Sequence, residues 1–92
     1  MAKYLIEVPH EANEKACLQA IQTFLHTGSH FLTNADWGCK DNEHKAWFIL
    51  DVEDKEQAKS VIPPSYRAEA KVTLLTKFRM EEIDEILHEH MH

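Results

Sequence analysis

No stretch of this chain is apolar for long enough to cross a bilayer. After Lys3 the N-terminus offers only the short run YLIEV, already interrupted by Glu7, where a span needs about 20 apolar residues and a signal peptide a longer apolar centre. The expectation is a cytoplasmic protein. Basic residues are also scarce. Ten Lys and Arg stand against 16 Asp and Glu, a formal charge of -6, so the average surface repels phosphate backbones and anionic lipid. Nucleic acid and membranes are thereby excluded as partners. Only two cysteines occur, Cys17 and Cys39, and in a reducing compartment they are read as thiols and not as a disulfide. The chain also lacks a G-x-S-x-G elbow and a phosphate loop, so neither of these motifs assigns a reaction.

What is present is enough to fold. Residues 1–92 make one domain, and 43% hydrophobic with 28% charged residues are ordinary values for a globular chain. The compositional oddity is histidine: there are seven, three of them in the closing HEHMH.

KYLIEV (3–8) alternates, with Tyr4, Ile6 and Val8 on one side, and reads as a strand ended by Pro9. Asn13 can cap a helix running to about His26, with Cys17, Ile21, Phe24 and Leu25 on one face and Gly28 as its stop. HFLTNADW (30–37) and HKAWFILDV (44–52) are rich in aromatic and branched residues, and the intervening GCKDNE has the composition of a hairpin loop. Asp54 and Gln57 resemble a capping box for a short helix over Ala58, Val61 and Ile62, terminated by Pro63-Pro64. AEAKVTLLTKF (68–78) alternates as a fourth strand. In the tail (79–92), Met80, Ile83, Leu87 and Met91 share a stripe that predicts a helix docked on the body.

The order β-α-β-β-α-β over 3–78, plus a C-terminal helix, is α+β of the ferredoxin-like kind, with an antiparallel sheet in the order 4-1-3-2. Its helices cover one face. On the other lie Leu5, Trp47, Ile49 and Leu75, a face too apolar for water, which a second copy packed sheet to sheet would cover. A homodimer is expected; the alternative is the tail helix folding over this face.

KYLIEVPH, the hairpin WGCKDNEHKAW, the turn VIPPSYRAEA and the closing VTLLTKF together resemble the dimeric α/β-barrel superfamily, which includes muconolactone isomerase and the small cofactor-free monooxygenases. Within it the chain is similar to the short single-domain members that resemble a bacterial nickel-binding ferredoxin-like protein. The resemblance covers residues 3–78 at the level of topology. It implies a dimer closing an α/β barrel, and it carries over no catalytic residue.

In this topology the loop after the first strand, the hairpin and the turn before the last strand share one end of the sheet. His10, Cys39 and His44 then meet as one thiol and two imidazoles, ligands that suit nickel, zinc or copper. Asp41 and Glu43 are candidate oxygen ligands. Cys17, about one turn into the first helix, is a further candidate ligand, although its apolar stripe equally suits a small core residue. His88 and His92, four apart in the tail with His90 between them, form a second candidate site; imidazoles in a last turn also simply favour the helix dipole. The first reading is a small homodimeric protein that binds a divalent transition metal or small ligand. The alternative is a cofactor-independent isomerase or monooxygenase-like enzyme working in an apolar cavity between two sheets, lined by Trp47 with Asn34, Asp36, Tyr66 and Arg67 as polar groups. A third is an adaptor with no ligand.

Overall fold

Strand β1 spans Ala2–Pro9 in the computed structural model, which describes residues 1–27 and 29–91. Its alternation appears directly as burial: Tyr4, Ile6 and Val8 are inside, and Lys3, Leu5 and Glu7 face the other way. Helix α1, Glu14–His26, starts where expected. Asn13 is extended, and its side chain accepts from the Ala16 N–H at 2.8 Å, satisfying one of the donors that a helix start leaves free. α1 buries Cys17, Ala20 and Phe24. Gly28, the expected stop, lies outside the described residues.

The expected strand over 30–37 is mostly absent. The chain instead winds one helical turn, α2, His30–Thr33, and only Asp36–Trp37 remain as strand β2. Local hydrogen bonding overrides strand propensity here. Thr33 Oγ1 and Asn34 Nδ2 both donate to the His30 carbonyl, at 3.1 and 2.8 Å, and the turn drives Leu32 into the core. A 3-10 turn, Cys39–Asp41, then leads to strand β3, Lys45–Val52.

Helix α3, Lys55–Val61, is capped by Asp54, which accepts from the Gln57 N–H at 2.8 Å, while Gln57 Oε1 accepts from Glu53 N–H at the same distance. Pro63-Pro64 ends it, but Pro64 also begins a further short helix, α4, Pro64–Arg67. At a first helical position the missing proline N–H costs nothing. Strand β4, Lys71–Leu75, is shorter than the 68–78 expected, and helix α5 spans Met80–His90.

Among the described residues the architecture is α+β, an open antiparallel sheet of four strands with five helices. The order β2-β3-β1-β4 is the expected 4-1-3-2 read from the other edge. One face carries the core, Tyr4, Ile6 and Val8 with Ala46, Phe48 and Leu50, closed over by Phe24, Leu32, Ala58 and Ile62. Phe24 is its hub. Fully buried, it sets its ring edge-on to those of Trp37, Phe48 and Tyr66 at 5.0, 6.2 and 6.1 Å, the geometry that aromatic quadrupoles favour. Leu74, opposite Tyr4 on this same face, is nonetheless 52% exposed, because β4 is the sheet edge.

α5 departs from expectation. None of its residues is buried, and Met80, Leu87 and Met91 remain largely exposed, so it is not docked on the body by its apolar stripe. The chain is correspondingly elongated, 56 × 28 × 21 Å. Among the described residues no helix is long and apolar enough to cross a membrane.

Replacing a fully buried aromatic removes transfer energy and leaves a cavity. Phe24→Ala is expected to destabilise the fold by about 3–5 kcal/mol, against roughly 0.5 kcal/mol or less for Leu87→Ala on exposed α5. Urea unfolding followed by tryptophan fluorescence measures both, and equal losses would refute this account of the core.

Candidate metal centre

The site grows out of strand register. β1 and β3 pair Ile6 with Phe48, Val8 with Ala46 and Pro9 with Lys45; β2 pairs Trp37 with Ala46. Residues two apart on a strand share a face, so the core-facing side is built in rows: Ile6 and Phe48, then Val8, Ala46 and Trp37. One step further, the same register places His44 between His10 and Cys39. The backbone keeps this alignment past the ladder, with His10 N–H donating to the His44 carbonyl at 3.0 Å and Gly38 N–H to the Lys45 carbonyl at 3.1 Å.

The hairpin fixes Cys39 at its end of the row. Asp41 N–H and Glu43 N–H both donate to the Gly38 carbonyl, at 2.9 and 3.0 Å, and Asn42 adopts the left-handed conformation, φ 60°, which asparagine tolerates better than most residues. Gly38 leaves no room for a side chain. A Cβ there would lie 2.6 Å from the Glu43 carbonyl oxygen and 2.7 Å from the Trp47 ring.

His10, Cys39 and His44 are all half-buried, and their candidate ligand atoms lie within 4.8 Å of one another. His10 Nδ1 sits 2.9 Å from the Glu11 carbonyl; since a carbonyl only accepts, Nδ1 carries the proton. In the neutral ring the lone pair then falls on Nε2, which is 3.1 Å from Cys39 Sγ and placed to accept its S–H. Orientation of a ligand imidazole by a backbone carbonyl is the usual second-shell arrangement at metal sites. The His44 ring stands edge-on to that of His10, centroids 5.7 Å apart, and its Nδ1 is buried without a hydrogen-bond partner. An unsatisfied buried polar atom costs about 1–3 kcal/mol, a cost that coordination or a bound ligand would remove.

Cys17 is buried, as a core reading expects, yet it is not part of the central cluster around Phe24. It shares an open groove of about 360 Å³ with Cys39 and His44, rimmed by Asn13, Lys40 and Asn42. Burial pushes the Cys17 thiol up to about 11, helped by the hydrogen bond and charge of adjacent Cys39 and by Glu14. Asp41 and Glu43 are exposed and stand outside the His-Cys-His group.

Of the residues expected around an apolar cavity, Trp47 and Asp36 are cross-strand neighbours on the open face, but Asn34, Tyr66 and Arg67 do not join them. Trp47, paired with Glu7, lies on the open sheet face, donating from Nε1 to Glu7 Oε1 at 3.2 Å, whereas Tyr66 packs against Phe24 on the covered face. Asn34 is not on β2; it ends α2, bonded to the His30 carbonyl. Arg67 donates to the carbonyls of Ile62 and Ser60, at 2.8 and 3.4 Å, and thereby finishes α3 instead of presenting a cation to a ligand. His88 and His90 occupy the last turn of α5, while His92 lies outside the described residues. A concavity of about 730 Å³ follows the outer flank of α1 around Leu18 and Leu25.

Sequence reasoning missed the Glu11 carbonyl and the unpartnered His44 nitrogen; the order of elements was enough to bring His10, Cys39 and His44 to one end and to offer Cys17 beside them. No protein family, curated protein or solved structure matches the chain.

Because Cys17 is held protonated above its ordinary value of 9.0, the folded state binds its proton more tightly than the unfolded state, and stability falls as pH rises through the window from 9 to about 11. At about pH 8, iodoacetamide is expected to label half-buried Cys39 and spare Cys17. Peptide mass mapping checks this, and equal labelling of the native protein would refute the assigned environments.

Proposed function

We propose that the chain is a small transition-metal-binding protein whose ligands are His10 Nε2, a nitrogen of His44 and the Cys39 thiolate. The observation that carries the reading is the His-Cys-His group within 4.8 Å, in which one ring is already oriented by a carbonyl and the other holds a buried nitrogen without a partner. One soft sulfur and two imidazoles suit zinc, copper or nickel over magnesium or calcium. Three protein ligands leave a tetrahedral position open, and the groove beside Cys17 gives access to it. An open position favours exchange, so the role is binding and delivery of the ion in preference to a structural metal. Two free thiols suit a reducing compartment such as the cytoplasm.

The test is titration with cobalt(II), which reports thiolate coordination optically, in protein whose tail histidines His88, His90 and His92 are replaced by alanine. Binding at one equivalent is expected. Cys39→Ser and His44→Ala are expected to weaken it by more than the about 10–100-fold that loss of an outer-shell partner costs. Equal binding in all three proteins would end the proposal.

The βαββαβ order and the strand order support the ferredoxin-like reading, and the open face supports a homodimer. Leu5, Ile49, Thr73 and Leu75 form its apolar middle, with Ile49 54% exposed. Around them Lys3, Lys45 and Lys71 offset Glu7, Asp36 and Asp51. This face is therefore neutral on a chain of charge -6, and two copies can meet here without net repulsion. An apolar centre with a mixed-charge rim is what a two-fold, self-complementary contact requires. Light scattering at micromolar concentration is expected to give twice the chain mass, and Ile49→Asp to halve it; a wild-type monomer would remove this part of the reading.

A further inference from the structure

Two thiols share the groove at the metal centre, and only one belongs to the ligand group. Cys39 sits on the turn, half-exposed and 3.1 Å from the lone pair of His10 Nε2. Cys17 lies on the first turns of α1, buried, lining the same groove of about 360 Å³ as Cys39 and interacting with its thiol. A partly exposed thiol beside an oriented base, with a second thiol behind it, is the arrangement that attacks a peroxide and is then resolved internally.

We propose that Cys39 and Cys17 form a peroxide-sensitive pair whose disulfide removes the sulfur ligand and releases the metal ion. This rests on the metal reading above for its consequence, not for its chemistry. The oxidant is a hydroperoxide. His10 takes the Cys39 proton, and the thiolate attacks the terminal peroxide oxygen; an S–O bond forms, the O–O bond breaks, and the departing oxygen takes that proton to leave as water or an alcohol. Cys39 is then a sulfenic acid, two electrons more oxidised. The Cys17 sulfur attacks the Cys39 sulfur, the S–S bond forms, the S–O bond breaks, and hydroxide leaves with the Cys17 proton as water. In sum, two thiols and one hydroperoxide give one disulfide, one water and one water or alcohol. A thiol reductant restores the pair by exchange. Division of roles follows exposure: solvent-borne peroxide reaches half-buried Cys39 before buried Cys17.

The disulfide sulfur is no longer a thiolate, and the site falls back to two imidazoles. The full-length protein, metal-free and reduced, treated with equimolar hydrogen peroxide, is expected to lose both free thiols and two hydrogens of mass, with a peptide map joining Cys17 to Cys39. Cobalt(II) should then bind more than about tenfold more weakly, and a dithiol reductant should restore binding. Cys17→Ser is expected to halt at the Cys39 sulfenic acid, trapped by dimedone. Over-oxidation of Cys39 with Cys17 left as a free thiol, or a bridge between two chains, would overturn the inference and leave the metal reading standing. A bridge in a chain whose reduced form binds no cobalt would overturn the metal reading and with it the gating, while an unchanged cobalt affinity in the bridged chain would overturn the gating alone.

Discussion

The antiparallel register of β1 on β3 is the constraint from which the rest follows. It pairs Val8 with Ala46 and Pro9 with Lys45, and one step beyond the ladder it sets His10 against His44, tied by the N–H to carbonyl bond of 3.0 Å. A slip of one residue would turn every side chain to the other face. Ile6 and Phe48 would then meet water, and the two imidazoles would part. The core therefore holds the register, and the register holds the candidate ligands.

The same row explains why polar groups accumulate at this rim. Inward-facing positions continue in twos from the apolar interior, but beyond Val8, Ala46 and Trp37 the next row is His10, His44 and Cys39. It lies too deep to be well hydrated and too far out to be covered by α1 and α4. His10 resolves this through the Glu11 carbonyl and the Cys39 thiol, whereas one nitrogen of His44 stays without a partner. Well-packed proteins satisfy such atoms, and the exceptions concentrate where something binds. Gly38 completes the arrangement, since any side chain there would strike Glu43 and Trp47 and move the turn that carries Cys39.

Among the apolar surfaces left without cover inside the chain are the open sheet face around Ile49 and the stripe of α5. Their charges differ. The sheet face balances lysines and acids, whereas α5 carries Glu81, Glu82, Asp84, Glu85 and Glu89 and is held at its start by the Arg79 to Glu82 ion pair at 2.8 Å. An amphipathic helix with this charge keeps its stripe in reach of solvent at less cost than a bare apolar segment, because adjacent carboxylates remain hydrated. The elongated shape of the molecule follows from it.

Local chemistry was legible in the residues themselves. Alternation marked β1 and β3, Asn13 and Asp54 announced the starts of α1 and α3, and the strand order followed from the sequence of elements. The site was legible to the extent that crossovers returned His10, Cys39 and His44 to one end. It was not legible that 30–33 would coil, because that depends on Thr33 and Asn34 competing for one carbonyl, or that Arg67 would be consumed by α3. Sequence by itself determined the alternating faces of β1 and β3 and the capped starts of α1 and α3, since periodicity and caps are properties of neighbours along the chain. Tertiary structure alone decided that one nitrogen of His44 stays unpaired, that His10 Nε2 lies against Cys39 Sγ and that two cysteines 22 positions apart line one groove, because such partners and burial are set by segments brought together only when the sheet closes under its helices.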